Sequence, residues 1–307
     1  MLQKKNEEAF RTILLADSKN PEKSTILATF FEDFDAEKAF KALHPKHSVE
    51  KSILDGFRRA NGPEKVKKVL EDNTLSFDYM SAIMAIPKKM RTLYPHAYQS
   101  FLWNRVLSER ITSFGKKIVP GDYVLVNEEP IFVEDEKDAE RYSLFEMAIP
   151  IFGSETDLKP ESIVSKIYSK ILKEEGIDAD SFKDHHGCFM LNGGWRVGLI
   201  CPKNFRHKVV FFDSWGEDLL SLDCKEEDCY AIDGTKGKFS AILAQFELPK
   251  SCYATMLIRE LLHNSTDPLL QNALNEKAKA LSNGEKKDAE ECADEAEAEE
   301  NEEELKE

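Results

Sequence analysis

Along residues 1–90 the apolar positions recur three and four apart: Ala9, Phe10, Ile13, Leu14, then Phe30, Phe31, Phe34, then Phe40 and Leu43. That spacing predicts amphipathic helix. His44-Pro45-Lys46 and Asn61-Gly62-Pro63 carry helix-breaking residues, so the region divides into short helices joined by brief loops. Met80 to Ile86 leads into a longer helix with Pro95 in its first turn, where a missing N–H costs nothing. On a 3.6-residue wheel Tyr98, Leu102 and Val106 fall on one arc, while Trp103, Leu107 and Ile111 lie round the other side. A helix apolar on two sides is expected sandwiched inside a domain. Its polar members would then need partners, because burying an unpaired amide costs about 1–3 kcal/mol.

Beyond Ile111 the period changes. Lys117 to Val126 reads as strand and turn through Gly121-Asp122, Glu128 to Arg141 as an acidic loop, and Tyr142 to Ile151 as a strand. Pro160 to Glu175 is an amphipathic helix with Ile163, Val164, Ile167, Ile171 and Leu172 inside and Lys166, Lys170 and Lys173 outside. Gly187 to Leu191 and Trp195 to Cys201 read as two strands across an Asn192-Gly193-Gly194 hairpin turn. His207 to Asp213 and Phe239 to Leu248 read as further strands, and Tyr253 to His263 as a closing helix that Ser251 could cap. The class is α+β.

Composition narrows the setting. The 307 residues, 41% apolar, suffice for one large or two ordinary domains. No apolar run approaches the roughly 20 residues that cross a bilayer, and no signal-peptide core follows Met1, so the expectation is cytoplasm or nucleus without a membrane partner. Six cysteines spread from Cys188 to Cys292 form no disulfide framework. From Asn275 onward 14 acidic residues face five basic ones, so −9 of the net −15 lies in a tail expected to be disordered. The body, at −6, is not basic. Charge alone does not point to nucleic acid.

Motifs do. Arg91 to Asn104, reading R-x-L-Y-x-H-A-Y-Q-S-F-L-W-N, resembles a signature of the TruD family of RNA pseudouridine synthases. Gly121-Asp122 stands where that family has a Val-x-Gly-Asp turn. Leu191-Asn192-Gly193-Gly194-Trp195-Arg196 resembles its L-x-G-x-[YW]-R segment, and Phe246 to Met256 with Arg259-Glu260-Leu261 resembles its F-x-L-P-x-x-x-Y-A-T-M-x-x-R-E-L segment. Four motifs in the right order are far more specific than any one alone.

The resemblance implies uridine-to-pseudouridine isomerisation in tRNA or other RNA, with no metal or organic cofactor. It also implies a TruD-type insertion domain at residues 80–205, a helical segment of the catalytic domain at 1–79, and the last strands and helix of that domain's mixed sheet at 206–266. Residues 267–307 would be the acidic tail. Family members carry the catalytic Asp in a G-x-K-D-[KR] turn and have an N-Y-F-G-x-[QR]-R-F-G segment, both upstream of the signature helix. Neither occurs in this sequence, and Gly234-Thr235-Lys236-Gly237-Lys238 has glycine where the Asp would stand. No catalytic residue is therefore expected in this chain. The N-terminal part of the catalytic domain is expected to be missing, or separately encoded, and a sheet edge to be left exposed.

Arg91, His96, Tyr98, Gln99, Asn104, Arg196, Lys166, Lys170 and Lys173 are the candidates for lining an RNA cleft. Each has a plainer reading, as a brace between elements or a solvated lysine face. The alternative function is a remnant that grips RNA or a protein partner without turnover. His185-His186-x-Cys188 with Cys201 could hold zinc on paper, but it lacks paired C-x₂-C spacing and no metal is assigned.

Overall fold

The computed structural model describes residues 5–16, 20–72, 74–183, 191–214, 218–219, 236–263, 265, 267 and 269–277. Helices lead, followed by a small antiparallel sheet with helices packed on it, so the α+β class holds. The chain divides into two units, Met1–Ile200 and Cys201–Glu307.

The first unit opens with α1 (Asn6–Leu15), α2 (Pro21–Asp33), α3 (Ala36–Ala42), α4 (Ser48–Ala60), α5 (Pro63–Glu71), α6 (Tyr79–Met84) and α7 (Lys88–Arg91). Their starts are set by polar caps: the Asn20, Asp35 and Asp78 side chains accept from the N–H of Lys23, Lys38 and Ser81. Pro21 and Pro63 occupy first-turn positions of their helices. The apolar stripes converge on Phe10, Phe30, Phe57, Phe77 and Tyr79, with the Phe10 and Tyr79 ring centroids 5.1 Å apart. Asn61, fully buried, staples the loop before α6 by accepting from Asp78 N at 2.7 Å and donating to Phe57 O and Asp78 O. Lys23 is buried too, but it is paired with Glu50 at 2.6 Å, as a buried charge requires.

A second core of the same unit gathers around α8 (Leu93–Phe114). The expectation of a sandwiched helix is corrected: Pro95, Gln99, Leu102, Trp103, Val106 and Arg110 form one buried stripe, with Tyr98, Leu107 and Ile111 half-buried on its flanks. The two apolar arcs are the margins of one wide face, and Tyr94, Phe101, Asn104 and Ser108 are exposed opposite. This stripe packs on β3 (Met147–Ile151) of a four-stranded antiparallel sheet ordered β2-β1-β3-β4, with β1 at Tyr123–Val126, β2 at Glu129–Phe132 and β4 at Gly194–Val197. The acidic stretch 128–141 is more than a loop. Asn127 and Glu128, both at positive φ, turn β1 into β2, and α9 (Glu136–Ala139) follows. The α10 helix (Ile163–Glu174), capped by Ser162, buries the predicted apolar arc plus Tyr168. β4 pairs with β3; residues 187–190 of the strand expected at 187–191 lie outside the described residues.

The second unit holds β5 (Lys203–Phe212) and β6 (Phe239–Glu247), an antiparallel ribbon, and α11 (Ala254–Leu262). Ser251 does not cap α11: it sits at φ 66°, and Tyr253 takes the cap position without a side-chain bond. Residues 269–277, expected to open the disordered tail, are helical. The rest of the acidic tail, the His185-His186-x-Cys188 group and residues 234–235 of the glycine-rich turn lie outside the described residues. No described helix is long and apolar enough to cross a membrane.

Candidate nucleic-acid interface

Gln99, buried in the α8 stripe, donates from Nε2 to Phe152 O at 2.8 Å across the end of β3. A carbonyl oxygen only accepts, so the amide orientation is determined and Oε1 is the remaining acceptor. His96 Nδ1 lies 2.8 Å from that Oε1 and therefore carries the proton. His96 is exposed, and with the proton on Nδ1 the Nε2 of a neutral ring is an acceptor.

Two turns further along α8, Trp103 donates its indole N–H to Ile149 O at 3.0 Å. Arg196, opposite Ile149 in the β3–β4 register, lays its guanidinium over the Trp103 ring with Cζ 5.5 Å from the centroid. It is exposed, and among the described residues no carboxylate pairs with it. The turn before β4 is anchored to the loop after β3, with Ser154 N donating to Leu191 O at 2.8 Å and Glu155 N to Asn192 O at 3.0 Å. Gly193 is required there: its φ is +91°, and a Cβ would stand 2.6 Å from Ile151 O. Two of the sequence motifs, Arg91–Asn104 and Leu191–Arg196, thus meet at the C-terminal end of β3.

The other candidates go elsewhere. Arg91 is buried, donating from Nη1 to Met84 O at 2.6 Å and Ile86 O at 2.9 Å, where it ties down the chain after α6. In this fold its Nη1 serves the chain's own backbone. Tyr98 leaves α8 toward Phe101, and burial beside Glu175 pushes its phenol up to about 12. Its hydroxyl has no partner among the described residues. Asn104 lines a shallow groove of about 560 Å³ with Phe101, Arg105, Ser108, Glu109 and Lys170. The cations of that groove are already taken: Arg105 binds Glu174 at 3.0 Å and Glu175 at 2.7 Å, and Lys170 binds Glu109 at 2.7 Å. Hydrogen bonding to Glu109 accordingly raises the Lys170 pKa. Lys166 and Lys173 stay exposed on α10. Of the nine candidates, His96 and Gln99 are in contact, and Arg196 lies over Trp103 further along the same helix.

Sequence reasoning placed Trp103 only on an apolar arc of the helix. The signal was its place beside the polar signature residues, because a buried indole N–H needs an acceptor. Asp122, the acid of the Gly-Asp turn, is sealed against Arg110 and offers no reactive carboxylate. Among the described residues no cluster of His, Cys, Asp or Glu could hold a metal ion.

Comparison with known proteins identifies the family. Residues 1–261 match the family model of tRNA pseudouridine synthase D (TruD), and the chain belongs to that family. It is 31% identical over 246 residues to the pseudouridylate synthase 7 homolog of Mus musculus, covering 78% of this chain and 34% of that protein. It is 28% identical over 261 residues to the multisubstrate pseudouridine synthase 7 of Schizosaccharomyces pombe, covering 76% of this chain and 36% of the relative. The fold resembles a crystal structure described as a tRNA pseudouridine synthase D from Methanosarcina mazei, with TM-score 0.58 and 18% identity over 84% of this chain and 55% of that one. The chain thus spans about a third of the length of these two curated relatives.

Proposed function

We propose that this chain supplies the RNA-gripping and closing parts of a pseudouridine synthase acting on tRNA or a similarly structured RNA. Family membership and the placement of His96, Gln99 and Arg196 along α8 support this reading. In the proposed reaction the target uridine is flipped from its stack into a pocket. A carboxylate then forms a covalent intermediate, the glycosidic bond breaks, and the base turns and rejoins through carbon. The chain offers no Asp in the family's catalytic turn, so we assign that carboxylate to polypeptide outside this sequence, attached or separately encoded. In this reading residues 80–205 are the insertion domain and 206–266 the end of the catalytic sheet. The exposed apolar side chains Val209, Phe211 and Ile242 of the β5–β6 ribbon, and Met256, Ile258 and Leu261 of α11, support a place against further sheet.

The test is pseudouridine formation on bulk tRNA by this chain alone, and by a fusion carrying the upstream region of the S. pombe relative at its N-terminus. Product from the fusion only is expected. Product from the chain alone refutes the assignment of the carboxylate. Failure of both preparations to bind or modify RNA refutes the function.

A further inference from the structure

From the row His96–Ser100–Arg196 along one flank of α8 we infer a two-point site for the RNA backbone, resting on the reading of the chain as an RNA-binding protein. His96 and Trp103 are seven residues apart, two helical turns, so they leave the same flank about 10 Å apart along the axis. Arg196 sits over Trp103, which places an exposed cation at one end of the row. The exposed imidazole of His96, its Nδ1 held by Gln99, stands at the other end. Between them Ser100 is exposed, with its hydroxyl proton donated to His96 O at 2.9 Å, so its oxygen can only accept from a ligand.

The chemistry of the row matches ribose-phosphate. A guanidinium that lies over an indole and has no carboxylate partner keeps its N–H fork free for a phosphate. The imidazole Nε2 and the serine oxygen accept from a donor, and the 2′-hydroxyl is the backbone donor that separates RNA from DNA. Gln99 and Trp103 lie buried beneath the row, so its exposed groups are polar, which suits a nucleic-acid backbone better than a protein that docks by burying apolar area. The pair of bonds Phe152 O–Gln99–His96 fixes the ring before any ligand arrives. Gln99 is thus a positioning residue for His96.

The site is tested by tRNA binding across a salt series with the full chain and the variants R196A, R196K and H96A, each checked for an unchanged thermal unfolding profile. R196A is expected to flatten the slope of log K against log salt by about 0.7–0.9, the loss of one phosphate contact, and R196K by less. H96A is expected to weaken binding to an RNA hairpin severalfold while leaving the DNA hairpin of the same sequence unaffected. A parent that binds tRNA while R196A and H96A bind with the same affinity and slope overturns this site alone. A parent that binds no RNA at low salt overturns the reading on which the site rests, and the site with it.

Discussion

Arg110 and Asp122, twelve residues apart, form a fully buried ion pair at the base of the sheet, with Arg110 Nε 2.7 Å from Asp122 Oδ1 and a second bond from Nη2 to Oδ2. The remaining groups are satisfied as well: Arg110 donates to Gly115 O and Lys117 O, and Asp122 accepts from Val119 N. One pair therefore closes the end of α8, the loop after it and the start of β1. A buried pair adds little net stability over an apolar substitute, but breaking it strands a charge.

Asp122→Asn is accordingly expected to destabilise the chain by about 3–5 kcal/mol, because the guanidinium stays buried without its counter-ion. Urea unfolding followed by circular dichroism measures it. A loss below about 1 kcal/mol would mean that the pair is solvated.

Gly56 on α4 allows the close approach of α6: a Cβ there would stand 2.9 Å from Ala82 O and collide with the Ala85 side chain. Gly56→Ala should destabilise by about 1–3 kcal/mol through overpacking, although alanine is the better helix former. An exposed helical glycine would give the opposite sign.

Backbone and side-chain hydrogen bonds from Ser81 hold the Asp78 carboxyl below its ordinary 3.8. A depressed folded-state pKa gives stability that is present above 3.8 and lost as pH falls through the folded value. Asp78→Ala should cost about 1 kcal/mol at pH 7, the worth of an N-cap. That difference should shrink when both proteins are unfolded well below pH 3.8. An equal difference at both pH values would show that the charge is irrelevant.

Val209 and Ile242 face each other across the β5–β6 ribbon and are 49% and 66% exposed. Exposed apolar faces on a two-stranded ribbon favour association. Sedimentation velocity should show concentration-dependent self-association that Val209→Thr with Ile242→Lys reduces. A monomer at every concentration would contradict this.

Periodic elements were legible in the sequence where one face is cleanly apolar. The inner arc of α10, with Ile163, Ile167 and Ile171, is buried as its spacing predicts. The sidedness of α8 was not legible, because Leu107 and Ile111 are apolar yet only flank the stripe that Gln99 and Arg110 share. Polar residues that satisfy one another inside a core are invisible to a hydropathy pattern. The β1–β2 hairpin hid behind its acidic neighbours, although Asn127 supplied a turn signal. In the candidate site, the motif identified His96, Gln99 and Arg196 as unusual, but only the fold separates them from Arg91, whose bonds run to backbone carbonyls inside the chain.

Binding of the full chain to tRNA, titrated from low to physiological salt, tests most directly whether it grips RNA. The account predicts complex formation at low salt and an affinity that falls log-linearly as salt rises, as phosphate contacts require. No detectable complex at the lowest salt, from a chain shown to be folded, would contradict it.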